Sequence, residues 1–269
     1  MLISIGHSPD ADDAFMFYAL SQRKIKVDFA YTEILDDIQT LNEMALRRVL
    51  DVSAISLAVY PLINKDYVIM RSGASMGMGY GPIIVAKKNN FKMRTIAIPG
   101  KFTSAFLILR MFLDKDVSFV FCPFDKIMEK VLSDEVDAGL IIHEGQITYK
   151  EVGLDKFVDL GEWWYDKYGL PLPLGVNVMR RMDRKIMSEI SYAMRSSLDY
   201  AFGHKKEALK YAMKFSPGLE EDKVEKFVDM YVNDLTTDLG TTGHKACQFF
   251  LDEAYRNDFI DRSISIETV

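Results

Sequence analysis

The strongest constraint on the fold of this chain is the repetition of one unit: a short apolar run, a polar turn, then a helical stretch. Leu2 to Ile5, Val27 to Leu35 and Val52 to Ala58 read as strands, with helices over Ala14 to Ser21 and Asp37 to Leu50 between them. Val68 to Met70 and Ile83 to Val85 follow as strands. The unit starts again at Thr95, with strands over Thr95 to Ile98, Val117 to Phe121 and Val136 to Ile142, and helices over Ala105 to Leu113 and Phe124 to Ser133. Alternation of this kind predicts an α/β fold with mostly parallel sheets. From Asp183 onward the pattern is helical, over Lys185 to Ala201, Lys205 to Lys214, Glu220 to Val232 and Gly240 to Phe259, with Ser216-Pro-Gly218 as a break. The residues from Asn257 are polar enough to fray. Two α/β units and a helical tail predict two lobes around a central ligand cleft. The first is residues 1–85, completed by 177–269, and the second is 86–176. Two crossings, near Val85 and Val176, form a hinge.

The chain has 269 residues and a formal charge of -6, which gives no electrostatic footprint for nucleic acid or for an anionic membrane surface. No apolar stretch is long enough to cross a bilayer. Met1 leads straight into a strand-like run with no basic, long-apolar and small-residue succession of a leader, so the expected compartment is the cytoplasm. Cys122 and Cys247 form neither a CxxC pair nor a metal-ligand spacing, and two buried thiols in a reducing compartment is the simplest reading.

Within this frame Gly139-Leu-Ile-Ile-His-Glu-Gly145 places His143 and Glu144 just beyond a buried strand, where ligands of open α/β sheets sit. An imidazole there is suited to proton transfer near neutral pH. The plainer alternative is a strand-end histidine bonded to a neighbouring carbonyl. Gly6-His-Ser-Pro-Asp-Ala-Asp-Asp13 joins a strand to a helix start, and Ser8, Asp10, Asp12 and Asp13 are all candidate N-caps. Three carboxylates with His7 complete no coordination set, so no metal is expected. Thr103 and Ser104 end the turn before the next helix, where hydroxyl and N–H groups hold a carboxylate or polyol, or merely cap. Ser56 stands near a strand end. Arg71 to Pro82 is glycine-dense but lacks the Lys-Ser/Thr of a phosphate loop and the Rossmann spacing. Lys87-Lys-Asn-Asn90 reads as a surface turn. The stretch from Gly161 to Gly175, with both tryptophans, is either an aromatic wall of the cleft or a hydrophobic plug. His204 and His244 read as surface residues.

Four blocks in order, Ser8-Pro-Asp-Ala-Asp-Asp-Ala-Phe-Met-Phe-Tyr-Ala-Leu20, Arg71-Ser-Gly with Gly79-Tyr-Gly-Pro82, Leu140-Ile-Ile-His-Glu144 and Gly169-Leu-Pro-Leu-Pro-Leu-Gly175, resemble the 1,4-dihydroxy-6-naphthoate synthase family of the futalosine route to menaquinone. The resemblance runs from near the N-terminus to about Ala254. It implies a type II periplasmic-binding-protein-like fold and a lyase that works without metal or organic cofactor. The implied substrate is the small molecule cyclic dehypoxanthine futalosine, and the implied products are 1,4-dihydroxy-6-naphthoate and dihydroxyacetone. The family's catalytic base falls on His143. Its ligand-binding groups fall on Ala54, Ile55 and Ser56 and on Thr103 and Ser104. Some relatives carry His-Thr-Thr where this chain has Phe102-Thr-Ser, so the hydroxyls survive and a polar first position is lost. Asp13 and Tyr80 are further candidates for lining the cleft. The competing readings are a non-enzymatic solute-binding protein of the same fold, a relative resembling chorismate dehydratase, and a ligand-sensing module.

Overall fold

The computed structural model describes residues 2–87, 93–113 and 116–269, so the turn expected at Lys87 to Asn90 lies, beyond Lys87, outside the described residues. Two sheets are present. The first runs β2 (Ala30–Leu35), β1 (Leu2–His7), β3 (Val52–Ser56), β11 (Leu172–Arg180), β4 (Tyr67–Ile69), with β5 (Ser75–Gly77) also paired to β11. The second runs β10 (Leu154–Asp159), β6 (Ile83–Lys87), β9 (Ala138–Ile141), β7 (Thr95–Ile98), β8 (Ser118–Phe121). Strands β1, β2 and β3 are parallel, as are β7, β8 and β9. Strand β11 is antiparallel to β3, β4 and β5, and β6 is antiparallel to β9 and β10. The expectation of mostly parallel sheets is therefore corrected to mixed ones. The reversed strands are the two at which the chain crosses between lobes. Val85 lies within β6 and Val176 within β11.

The helices are α1 (Ala11–Ser21), α2 (Ile38–Leu46), α3 (Tyr60–Ile63), α4 (Ser104–Phe112), α5 (Ile127–Leu132), α6 (Gly145–Thr148), α7 (Leu160–Tyr168), α8 (Arg184–Gly203), α9 (Lys205–Ala212), α10 (Glu221–Tyr231), α11 (Asp234–Thr237) and α12 (Gly240–Arg256). Helix α1 is apolar all round because it is covered twice, by its sheet on one side and by α8, α9 and α10 on the other. Phe15, Met16 and Phe17 are all buried there, each such side chain contributing about 1.5–3 kcal/mol. Three tail helices thus clamp the helix whose N-terminus faces the cleft.

The tryptophan-bearing stretch is a plug. Trp164 is fully buried against Tyr168, Phe249 and Phe250, and Trp163 packs edge-on to Phe112. Pro173 sits inside β11 where the register with β5 shifts, the kind of irregularity that accommodates a residue without an N–H donor. Fraying of the tail is also corrected. Ile264 and Ile266 are buried, and the last residues run alongside β4, with the Val269 N–H donating to the Ile69 carbonyl. The stretch is polar by count, but two of its three isoleucines are placed to reach the core.

The glycine-dense loop is explained by close packing. A Cβ at Gly161 would lie 2.0 Å from the Tyr80 carbonyl carbon and oxygen, and one at Gly77 would lie 1.8 Å from the same oxygen. These contacts are with backbone, which cannot swing aside as a side-chain tip does. Gly161→Ala is accordingly expected to destabilise the protein by about 2–3 kcal/mol, read as a lower urea midpoint at unchanged m-value. An unshifted midpoint would show that the backbone yields there.

Candidate active site

Between the two sheets lies a cleft of about 700 Å³, counting its open mouth. Its walls are chain segments that the fold brings to strand ends and helix starts: Ser8 to Asp13 after β1, Ala54 to Ser56 of β3, Thr103 to Ala105 before and within α4, and Ile142 and His143 after β9. Of the residues expected at the site, His143, Ala54, Ile55, Ser56, Thr103, Ser104 and Asp13 all line it. Tyr80 does not. Its ring packs edge-on to Tyr231, which does line the cleft, and its hydroxyl donates to the Met230 carbonyl.

His143 is joined to the opposite lobe. Its Nδ1 lies 2.9 Å from Asp10 Oδ2, so the Nδ1–H tautomer donates to that carboxylate and leaves the Nε2 lone pair free. Nε2 is buried and without a protein partner. The ring packs edge-on to Phe124 at 4.9 Å. The backbone of His143 is left-handed, with φ 56, a conformation that costs a non-glycine residue about 1 kcal/mol or more. This turn swings the imidazole off the end of β9 toward α1.

Asp10 is held in place by its second role. It is the N-cap of α1, and its Oδ1 accepts from the Asp13 N–H at 3.3 Å. Asp13 Oδ2 in turn accepts the Ser8 N–H at 2.7 Å, so the turn is closed from both sides in the manner of a capping box. Burial alone would raise Asp10, but the His143 imidazole outweighs it and holds the carboxyl well below the usual carboxylate range. Burial likewise opposes charge on His143, and the Asp10 carboxylate outweighs it, raising the imidazole above the ordinary histidine value. Asp13 is pushed up to about 7 by burial and by the neighbouring Asp10 charge, against the pull of His7. His7 is no ligand. It stacks on Phe17 at 4.2 Å, with Nδ1 bonded to the Ser8 carbonyl.

Glu144 does not orient His143. Its Oε1 accepts the Ala11 N–H at 3.3 Å and the Ser216 hydroxyl at 2.5 Å, so it ties the second lobe to the start of α1 and to the helical tail. Gln146 makes a similar bridge, accepting from the Tyr231 hydroxyl at 2.8 Å. Two more cross-lobe bonds fasten α2 to the turn before α4, from the Phe102 N–H to Gln39 at 2.9 Å and from Asn42 Nδ2 to the Phe102 carbonyl at 3.3 Å.

The hydroxyls of the other wall divide into used and available. Thr103 Oγ1 donates to the Gly100 carbonyl and accepts the Phe106 N–H, so it is a cap. Ser104 Oγ donates to the Leu174 carbonyl at 2.6 Å and accepts the Ala58 N–H. What this helix start offers a ligand is its first backbone N–H groups, on Ser104 and Ala105, which have no acceptor within α4. Ser56 Oγ accepts from Asn42 Nδ2 at 3.1 Å, leaving its own hydrogen for the cleft. No lysine or arginine is among the described residues lining the cleft. No group of three or more His, Cys, Asp or Glu side chains among the described residues is arranged to hold a metal ion. An anion here is therefore met by N–H and O–H dipoles.

Comparison with known proteins gives the same outline. Residues 3–256 match the family described as menaquinone biosynthesis. A 1,4-dihydroxy-6-naphthoate synthase of Thermus thermophilus is 36% identical over 255 residues, covering 94% of this chain and 93% of its own. A solved structure from Archaeoglobus fulgidus superposes with a TM-score of 0.93 at 42% identity, over 96% of this chain and 98% of its own. A Candida albicans protein described as having the generic periplasmic binding protein fold matches with a TM-score of 0.75 at 10% identity, over 98% and 92%, which speaks to the fold alone.

Replacing Asp10 by asparagine keeps a good N-cap and removes the charge that favours imidazolium. The His143 ring in Asp10→Asn is expected to titrate at lower pH than in the unsubstituted protein, as followed by NMR of the imidazole nitrogens. A midpoint that stays put would mean that Asp10 does not set the basicity of His143.

Proposed function

Since the chain belongs to the menaquinone-biosynthesis family and is an enzyme of that pathway, we propose that it is a carbon–carbon lyase. In this reading it converts cyclic dehypoxanthine futalosine to 1,4-dihydroxy-6-naphthoate and dihydroxyacetone, with His143 as the initiating base. The observation that carries the proposal is the pairing of His143 with Asp10. One ring nitrogen is committed to a carboxylate, and the other has no protein partner, on a residue that lines the cleft. That is the geometry a general base needs.

The remaining residues fit the same substrate. The Ser104 and Ala105 N–H groups, at the positive end of α4, suit the carboxylate of the aromatic half. Ser56, with a free hydroxyl hydrogen, suits the oxygens of the sugar-derived half, and Ile55, Ala54 and Leu174 supply apolar contact beside them. His143 removes a proton, the bond between the ring system and the three-carbon arm breaks, and the ring aromatises. The cross-lobe bonds through Glu144, Gln146 and Phe102 exclude water during this step. We take the lobes to be residues 1–85 with 177–269, and 86–176, moving about the crossings in β6 and β11 to admit substrate. A solute-binding protein of the same fold would also need the lobes, but it has no use for a base held by a cross-lobe carboxylate.

Because Asp10 raises the His143 pKa, the neutral, basic imidazole accumulates only as pH rises through a value above the ordinary histidine one. Turnover is therefore expected to increase with pH across that range, and the rising limb should move to lower pH in Asp10→Asn. His143→Ala is expected to lower kcat by about 10²–10⁴-fold, followed by the absorbance of the naphthoate. Undiminished turnover by that variant would place the base elsewhere, and no turnover by the unsubstituted protein would end the lyase reading.

A further inference from the structure

Asp12 has no part in the chemistry described so far. It lines the cleft from the first turn of α1 and is 8% exposed. Asp10 and Asp13 each hold short contacts, at 2.9 and 2.7 Å. Asp12 is bonded through its side chain to the Asp10 carboxylate, and beyond that it has only a long contact from Ser75 Oγ to Oδ2, at 3.4 Å. A buried ionised carboxylate left this way would be expensive. The groups around it make ionisation harder still. Asp10 and Asp13 face it from its own helix start, and Glu144 faces it from the loop after β9. No lysine or arginine lies among the described residues lining the cleft. When two carboxyls adjoin and one is fixed as the anion by an imidazole, the other keeps the proton. Burial first, then the Asp10 and Asp13 charges, accordingly push Asp12 far above the usual carboxylate range.

We infer that Asp12 is a second catalytic residue, a carboxylic acid in the cleft wall whose proton, shared with Asp10 in the free protein, passes to the departing three-carbon arm. The inference rests on the lyase reading given above. The proton balance closes on these two groups. His143 Nε2 takes one proton from the ring-bearing half, whose electrons remain with that half. The carbon–carbon bond breaks with its electron pair on the three-carbon arm, as an enediolate. Asp12 gives its proton to that arm and becomes the carboxylate. No oxidant or reductant enters. Solvent exchange on product release removes the proton from the imidazolium and restores the one on Asp12. Two titrating groups held in opposite protonation states by their surroundings divide base and acid between them. Asp10 adjoins both and sets both states.

The test compares Asp12→Asn with the unsubstituted protein on cyclic dehypoxanthine futalosine. Asparagine keeps the shape, the neutrality and a hydrogen-bond donor, but has no proton to transfer. The expected result is KM within about threefold and kcat lower by about 100-fold or more. The falling, high-pH limb of kcat, present in the unsubstituted enzyme, should be absent from the variant. Infrared spectroscopy of the substrate-free protein at neutral pH should show a protonated carboxyl stretch that Asp12→Asn lacks. Asp12→Ala serves the same comparisons if asparagine is not accommodated. An active unsubstituted enzyme with kcat within twofold in the variant would overturn the role of Asp12 and leave the lyase reading standing. An unsubstituted protein that forms no naphthoate would overturn the lyase reading itself. An infrared spectrum unchanged by the substitution would show that Asp12 carries no proton, which also overturns its role.

Discussion

The contact on which the rest depends is the one between Asp10 and His143. It crosses the cleft, so it exists only when the lobes face each other, and it fixes which nitrogen of the imidazole is basic. The chain reaches this geometry by local means on each side. Asp10 is immobilised as the cap of α1, and His143 is turned off the end of β9 by a left-handed backbone. The left-handed backbone at His143 works against folding, whereas the burial of Asp10 is outweighed by the imidazole beside it. Such features persist where the surrounding structure over-determines them, as at functional sites.

Helix α1 is the common support. The same residues that make it apolar all round, Phe15 to Leu20, place it between a sheet and three tail helices. A helix gripped on both sides does not shift its N-terminus. The acidic turn from Asp10 to Asp13 is thereby presented to the cleft as a rigid set, and Glu144 and Gln146 dock the second lobe onto it and onto Tyr231. The loop that carries His143 also carries Glu144 and Gln146, so in the proposed reaction the same segment would hold the base and fasten the two sides of the cleft.

Much of this was legible in the sequence, and the parts that were not share a cause. Strand β7 has the bounds its apolar run predicts, Thr95 to Ile98, and the run from Val136 delivers His143 to a strand end at the cleft. These follow from periodicity and from strand-end chemistry, which are local properties. Asp10 and Asp12 were readable only as candidate caps, because neither pattern nor spacing says which residue of one lobe meets which residue of the other. Whether Glu144, adjacent to His143, orients it depended on geometry that the sequence does not give. The backbone turn sends Glu144 to Ala11 and Ser216 instead. The direction of β6 and β11 was hidden for the same reason, since strands that cross between lobes are set by the route of the chain. Ile264 and Ile266 were masked by polar neighbours, and their partners lie far away in sequence, beside β4.

The two helix starts that face the cleft have opposite chemistry, and this decides how an anionic substrate can lie. The start of α4 is capped by Thr103 and leaves the Ser104 and Ala105 N–H groups for a ligand. The start of α1 is already answered by Asp10, Asp13 and Glu144, whose oxygens take the Asp13, Ser8 and Ala11 N–H groups. An anion is drawn to the first and repelled by the second. In the proposed reaction the substrate carboxylate would accordingly point toward α4, and the half of the molecule without charge would fall to α1, beside Asp12 and His143. Lysine or arginine in the cleft would bind the anion more strongly, but it would also pair with Asp10 or Asp12 and erase the difference in protonation between them. Binding by dipoles instead of cations would preserve that difference, and the difference is what would let one turn of helix serve, in the proposed reaction, both as the support of a base and as the source of an acid.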